Sequence, residues 1–382
     1  MKRTHEIATG LEPAALIVTD RIGDVLAAWE RLASLPSACA YAAPGFVGAW
    51  ASRVAPTKGL EPRYVLATRA GEPAALLPLA LGREGGVPML TALSDTHSNM
   101  NGGLFAPDWN VEPTVLHEAL LALEPKAEGI AIRCVPAPDG THPLLDAPRP
   151  HVHDVYGGTF DGGFDGHLGR NNARRKRKKH RQTIRRFSEA GGWRVRRIDD
   201  GDEAEALLDE ARALFATRFE REGIEDPFAP EPVRAFMTDA LRGSVGAARP
   251  AMALWALEVA GETIAIQAGG GAGDHFSLMF TVYRPGAHDG ASPGDFLLHE
   301  VISAAADDGY ASFDIGRGRE PYKMSWCDVT YELHDVRVAR TGRARLWFAA
   351  EGGMLALKRR VRGNDRLWEL AKDVRRRLSR AA

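Results

Sequence analysis

The residues best equipped for chemistry lie in one short run, Phe313-Asp314-Ile315-Gly316-Arg317-Gly318-Arg319-Glu320-Pro321-Tyr322-Lys323. Asp314 closes an apolar strand beside glycines that let a ligand approach the backbone, and a carboxylate there can take a proton as general base. Tyr322 can give a proton or hydrogen-bond a carbonyl. Lys323 can neutralise phosphate or charge that develops during reaction. Arg317 and Arg319 can hold an anionic ligand in a guanidinium fork. The plain structural uses of the same residues are a turn cap for Asp314 and core packing for Tyr322. Upstream, Arg284, Gly290, Ser292 and Gly294 lead into an apolar helix. Small residues at a helix start leave N–H groups free for an anion. A second polar run at 94–103 carries Asp95, His97, Asn99 and Asn101 before Gly102-Gly103. Such a loop can bind a sugar or phosphate acceptor in a cleft, or serve only as a surface turn.

Other constellations are weaker. His142, His151, His153 and Asp154 place at most two ligands on an extended stretch, so no metal site is expected. Gly269-Gly270-Gly271-Ala272-Gly273 opens no helix and is not a dinucleotide fingerprint. No G-x-x-x-x-G-K-[ST] run exists, which disfavours an ATP-driven ligase. Cys39, Cys134 and Cys327 are widely spaced, with no C-x-x-C, and point to neither a disulfide framework nor a cysteine zinc site. Cys327 lacks a thiolate-lowering arrangement beyond Lys323.

Periodicity gives the elements that must position these groups. Helices are expected at 24–35, 115–123, 170–189, from Asp202 as cap to about 221, at 230–241 and at 293–307. Strands are expected at 63–68, 74–81, 129–135, 193–198, 253–259, 263–269, 275–283, 311–315 and 331–338. Five prolines between 136 and 150 mark an irregular crossing and a domain boundary. The division is 1–150, 151–345, and a basic amphipathic helical tail at 346–382, with Leu367, Leu370, Val374 and Leu378 on one face. A weak echo between 64–81 and 254–267 suggests a duplicated unit.

The chain has 382 residues, with 49 Lys+Arg against 50 Asp+Glu and a formal net charge of −1. That balance excludes a uniformly basic nucleic-acid binder. Charge is nevertheless segregated. The stretch 170–186, from Arg170 to Arg186, holds ten Lys/Arg and no acid, and 358–380 holds ten Lys/Arg with three acids. Each suits phosphate ligands or an anionic membrane surface. The competing reading of the first is a solvated face balanced by the acids of 199–210, and of the second a regulatory nucleotide site. No apolar run reaches transmembrane or signal-peptide length, so a cytoplasmic protein, or one peripheral at the inner membrane, is expected.

The run Ser292–Trp326, with its helix ending in D-G, its strand ending in F-D-I-G-R-G and its closing E-P-Y-K, resembles the GNAT-type acyltransferases of the CelD and FemAB-like group. The basic helix from Arg170-Asn171-Asn172 to Glu189-Ala190-Gly191 fits the same group. The resemblance implies an α/β (α+β) fold of tandem GNAT-like domains. Each would be a mixed, mostly antiparallel sheet flanked by helices, the first often degenerate. It implies acyl transfer to an amine or hydroxyl in envelope or exopolysaccharide synthesis, with acetyl-CoA or another acyl-CoA as donor and a sugar or amine as acceptor. FemAB relatives use aminoacyl-tRNA instead. On that reading Asp314, Tyr322 and Lys323 are catalytic. Arg284, Gly290, Ser292, Gly294 and Arg317 bind the donor, and Asp95, His97, Asn99, Asn101 and Arg319 bind the acceptor. The alternative is a non-catalytic binding or regulatory protein on the same scaffold.

Overall fold

The computed structural model describes residues 2–7, 14–36, 38–94, 96–146, 151–286 and 288–362. In chain order these form β1 (Lys2–Ile7), β2 (Ala14–Thr19), α1 (Leu26–Ala33), α2 (Pro44–Arg53), β3 (Glu61–Arg69), β4 (Glu72–Glu84), β5 (Val87–Ala92), β6 (Leu104–Phe105), α3 (Pro113–Leu123) and β7 (Gly129–Ala137). The second half adds β8 (His151–Thr159), α4 (Gly163–Arg170), α5 (Ala173–Glu189), β9 (Trp193–Ile198), α6 (Gly201–Glu222), α7 (Glu231–Arg242), β10 (Ala253–Val259), β11 (Glu262–Ala272) and β12 (His275–Tyr283). It ends with α8 (Pro293–Asp307), β13 (Ser312–Arg317), α9 (Pro321–Trp326), β14 (Val329–Ala339) and α10 (Gly342–Arg362).

The strands join in one sheet, ordered β1-β2-β3-β4-β5-β7-β14-β8-β13-β12-β11-β10-β9, with β6 beside β4. Each half contributes one parallel pair, β5 with β7 and β12 with β13, and each pair is bridged by a helix, α3 or α8. The other pairings among the described residues are antiparallel. The fold is thus α/β, mostly antiparallel, with the same strand–helix–strand crossover made twice.

Side chains alternate across the sheet, as a period of two requires. In β3, Tyr64 and Leu66 face Trp29, Val47 and Trp50 of α1 and α2, whereas Val65 and Ala67 face Leu116 and Leu120 of α3. In β10, Leu254 and Ala256 join Leu208, Phe215 and Phe236 of α6 and α7. Trp255 and Leu257 lie on the opposite face with Phe187 of α5 and Phe296 and Val301 of α8. One core runs through both halves: α2 packs on α7, with Phe46 edge-on to Phe236.

Several expectations need correction. Asp200, not Asp202, caps α6: its Oδ1 accepts from the N–H groups of Asp202 and Glu203 at 3.0 and 2.9 Å. A cap must stand two or three residues before the donors it serves. The proline-rich stretch is not wholly irregular. Pro136 lies inside β7 opposite Leu333 of β14. The ladder to β5 ends at Ala131, so a proline beyond it can turn its missing N–H to an unpaired edge. His151, His153 and Asp154, expected on an extended stretch and given no strand of their own, lie in the central strand β8 between β13 and β14. Its Gly157 is required there, since a Cβ would collide with the Phe313 carbonyl oxygen. The C-terminal helix starts at Gly342, and Ala344 packs against Val87, Met89 and Ala131. Residues 363–382, which carry Leu367, Leu370, Val374, Leu378 and most of the basic tail, lie outside the described residues. Among the described residues, no helix is long and apolar enough to cross a membrane.

Candidate active site

The β12–β13 pair holds together only over His275–Ser277 and Ser312–Asp314; beyond that the strands diverge to Tyr283 and Arg317. Asp314 sits where the gap opens. Its side chain is fully buried. Oδ1 accepts the Gly316 N–H at 2.7 Å, and Oδ2 lies 3.0 Å from His275 Nε2. The other ring nitrogen, Nδ1, is 2.8 Å from Ser312 Oγ. With Nε2–H donating to the carboxylate, Nδ1 accepts from the hydroxyl, so Asp314 fixes the tautomer and orientation of His275.

The surroundings answer to this buried charge. Burial, reinforced by the negative charge of Asp314, raises the Tyr41 and Tyr331 phenols well above their usual range. Burial and the same charge push the Cys39 and Cys327 thiols up to about 12, so both are protonated thiols at neutral pH. Lys323 is buried, and its Nζ donates to the Arg317 carbonyl at 2.5 Å. Burial lowers its pKa. Lys323 therefore pins the Gly316–Gly318 turn and sets a cation close to Asp314. Tyr322, one residue earlier on α9, is 43% exposed at the rim.

The first half supplies the opposite wall. Asn99 donates to Tyr41 Oη at 2.7 Å and accepts from Arg317 Nε at 3.4 Å. Arg317 also donates to the Cys134 sulfur at 2.9 Å. Gly316 has φ +72° and abuts Asn99, whose Nδ2 would lie 2.5 Å from a Cβ. Asn101 is buried and donates to the Arg133 carbonyl at 3.0 Å, bracing β7 from within. Thus Asn99, Asn101, Arg317, Lys323 and Asp314 do converge. His97 lies apart, accepting from Trp50 Nε1 at 2.9 Å with its ring tilted against Phe236, and burial lowers its pKa. Arg319 is exposed, and Asp95 lies outside the described residues.

The start of α8 lies across the gap from α9 and under α5. Ser292 adopts φ +54° at the N-cap, without a side-chain cap, and Pro293 is the first helical residue. Arg186 of α5 donates to the Gly290 carbonyl at 2.5 Å, and Thr183 to that of Ala291 at 3.3 Å. Lys179 pairs with Asp295 at 2.7 Å, and Trp326 Nε1 donates to the same carboxylate at 2.8 Å. Lys176 stands 3.4 Å over the Trp326 ring, where burial lowers it to about 8. Gly294 faces Thr281 and Tyr283 across the gap. Arg284 is drawn away to Glu210 at 2.7 Å. Among the described residues the acids of 199–210 pair with Arg196, Arg197, Arg212, Arg242 and Arg284 rather than with α5.

His180, His299 and Glu300 bring three potential ligand atoms within 4.8 Å of one another. They are also linked directly, His180 Nε2 to Glu300 Oε1 at 2.6 Å and His299 Nδ1 to the same oxygen at 3.1 Å. Sequence reasoning passed over this trio and over His275, Ser312 and Tyr41. The one available signal for His275 is register: parallel pairing sets it opposite Ser312, two residues before Asp314.

Residues 174–324 match the family model described as an acetyltransferase (GNAT) domain. No curated protein matches the chain. Among solved structures it is similar to FemX, with a TM-score of 0.60 at 13% identity over 90% of this chain and 99% of that one. A conserved protein of unknown function from Bacteroides thetaiotaomicron gives 0.54 at 12% identity, over 84% and 99%. The C-terminal domain of a putative lysylphosphatidylglycerol synthetase from Agrobacterium fabrum gives 0.50 at 12% identity, over 81% and 96%. The stretch that matches the GNAT domain model, 174–324, thus takes in nearly all of α5, all of α8 and the strand gap where Asp314 sits, and the chain as a whole shares its fold with these structures.

Proposed function

We propose that the chain transfers an acyl group from a CoA thioester to an amine or hydroxyl acceptor at the β12–β13 gap. The observation that carries this reading is the Asp314–His275–Ser312 chain of hydrogen bonds at the mouth of the gap, with His275 facing an interdomain cavity. The donor's phosphates would meet the N–H groups at the start of α8 beneath Arg186 and Lys179. Its acyl carbonyl would reach Asp314 through the gap. The acceptor's nitrogen or oxygen attacks that carbonyl carbon, and its proton passes through Ser312 Oγ to His275 Nδ1 while Asp314 balances the imidazolium. The C–S bond then breaks, and the thiolate takes a proton at the rim, for which Tyr322 is the candidate donor. Asn99 and Arg317 would hold the acceptor. The CelD-like motifs favour a sugar or envelope precursor as acceptor and an exopolysaccharide setting.

A second reading has an aminoacyl-tRNA donor. It is favoured by the exposed Arg174, Arg175, Lys178 and Arg181 of α5 and by the likeness to FemX and to a putative lysylphosphatidylglycerol synthetase. Thiol release and acceptor mass with acyl-CoA and an amino sugar separate the readings. An acyl mass gain that Asp314→Asn abolishes, with melting temperature retained, supports the first. Transfer from aminoacyl-tRNA alone supports the second. A folded chain inactive with both donors is a binding scaffold.

A further inference from the structure

The first half has its own strand gap, and its lining differs from that of the second. β5 and β7 pair only over Met89–Thr91 and Gly129–Ala131 before diverging, as β12 and β13 do in the second half. The helix over this gap, α3, begins at Glu112 and Pro113. The start of α8 lies under the cations of α5, and its own first-turn carboxylate, Asp295, is paired with Lys179; α3 starts on the carboxylate of Glu112 and is given no such cover among the described residues.

Below that helix start lies a cavity of about 840 Å3, within the range of ligand-holding pockets. Its walls at the first-half end are Leu93, Leu104, Phe105, Ile132 and Leu144. It runs between the halves to Tyr331, Phe313, Ser312 and His275. Among the described residues no lysine or arginine lines it, and Glu112 is the one acidic side chain. Burial lowers His142, in its wall, to about 3, so that imidazole is neutral at pH 7. Asn101, also in the wall, spends its amide on the Arg133 carbonyl. Polar side chains such as Tyr41, Asn110, Thr141, Thr159, Ser312 and Tyr331 are present but outnumbered by apolar ones, so a sugar filling this space would leave much of its hydroxyl surface against apolar wall, losing hydration without replacement. An unbranched alkyl chain needs none.

We propose that this interdomain chamber takes the alkyl chain of a fatty acyl or lipid substrate, with the polar end of that substrate at His275. The assignment of the reacting end rests on the acyl-transfer reading above; the chain-binding assignment does not. The chain can belong to the donor, as a long-chain acyl thioester, or to the acceptor, as a lipid amine or alcohol.

The test uses the full chain. Displacement of a fluorescent fatty acid by butanoate through hexadecanoate is expected to show affinity rising by about fourfold per added methylene until the chamber is full. Ala38→Phe and Val329→Phe, both in the chamber lining, are expected to shorten the longest chain held while leaving butanoate binding unchanged. Either variant suffices if the other fails to fold. Steady-state rates then assign the source. A rise in kcat/KM along an acyl-CoA series places the chain in the donor, and a rise along an alkylamine series places it in the acceptor. Affinity that is flat from butanoate to hexadecanoate, or unmoved by both substitutions, overturns the inference even if acetyl transfer is found. Chain binding that persists in an enzyme with no turnover leaves the inference standing and removes the acyl-transfer reading alone.

Discussion

At the scale of residues the proposed chemistry depends on one buried carboxylate. Asp314 has no exposed surface, and its partners are a backbone N–H and an imidazole. Asp314→Asn keeps the shape and the Gly316 bond but releases the His275 tautomer. It is expected to lower kcat by roughly 10²–10⁴-fold with KM little changed, as steady-state kinetics will report. Lys323 makes a separate prediction. Because its Nζ holds the Arg317 carbonyl, Lys323→Met leaves a buried acceptor unpaired and should cost about 1–3 kcal/mol in denaturant unfolding. Wild-type stability in that variant would contradict the pinning role. The placement of Asp314 and Arg317 at a strand end and its glycine turn was legible, because D-x-G-R-G after an apolar run marks where a strand stops. His275 was not, because its meeting with Asp314 depends on a parallel register between strands nearly forty residues apart. The contacts of His97 were not legible, since a polar loop position gives no sign that its ring will sit between Trp50 of α2 and Phe236 of α7.

At the scale of elements, α5 is fastened across α8. Burial would raise Glu300, but hydrogen bonds from His180 and His299 outweigh it and hold the carboxyl at about 2, against 4.5 for an unhindered glutamate. A carboxyl depressed in the folded state stabilises above its unfolded pKa, and that contribution is lost as pH falls from about 4.5 to about 2. Glu300→Gln should therefore destabilise the protein at pH 7 by on the order of 1–3 kcal/mol, with the deficit closing through that window. Melting curves at pH 7, 4 and 3 check it, and a pH-independent deficit would contradict it. Strongly periodic elements were readable from sequence: β9, β10, β12 and α8 begin and end where hydrophobic alternation and capping residues place them. β8 was not, because His151-Val152-His153-Asp154 and Gly157-Gly158 lack an apolar pattern, and its place is set by neighbours on both edges.

At the scale of the whole molecule, the two halves share one sheet. β14, from the end of the chain, is the partner of β7 in the first half and of β8 in the second. A fragment of residues 1–150 would lose that partner and expose an apolar edge. It is expected to be aggregated or far less stable than the full chain in size-exclusion and melting measurements. A monomeric, cooperatively melting fragment would contradict this. The sharing explains why the sequence suggested a repeat without showing how the repeats are joined, since long-range pairing leaves no local pattern.

The same architecture gives two strand gaps of opposite character, one beneath the cations of α5 and one lined with apolar side chains. The claim that the first is the site of acyl transfer is most directly tested by a crystal structure with a non-hydrolysable acyl-CoA analogue. The expected result places its pyrophosphate at the start of α8 under Arg186, its arm between β12 and β13, and its acyl carbonyl beside Asp314 and His275. A donor seated in the gap between β5 and β7, or away from Asp314 altogether, would contradict the account.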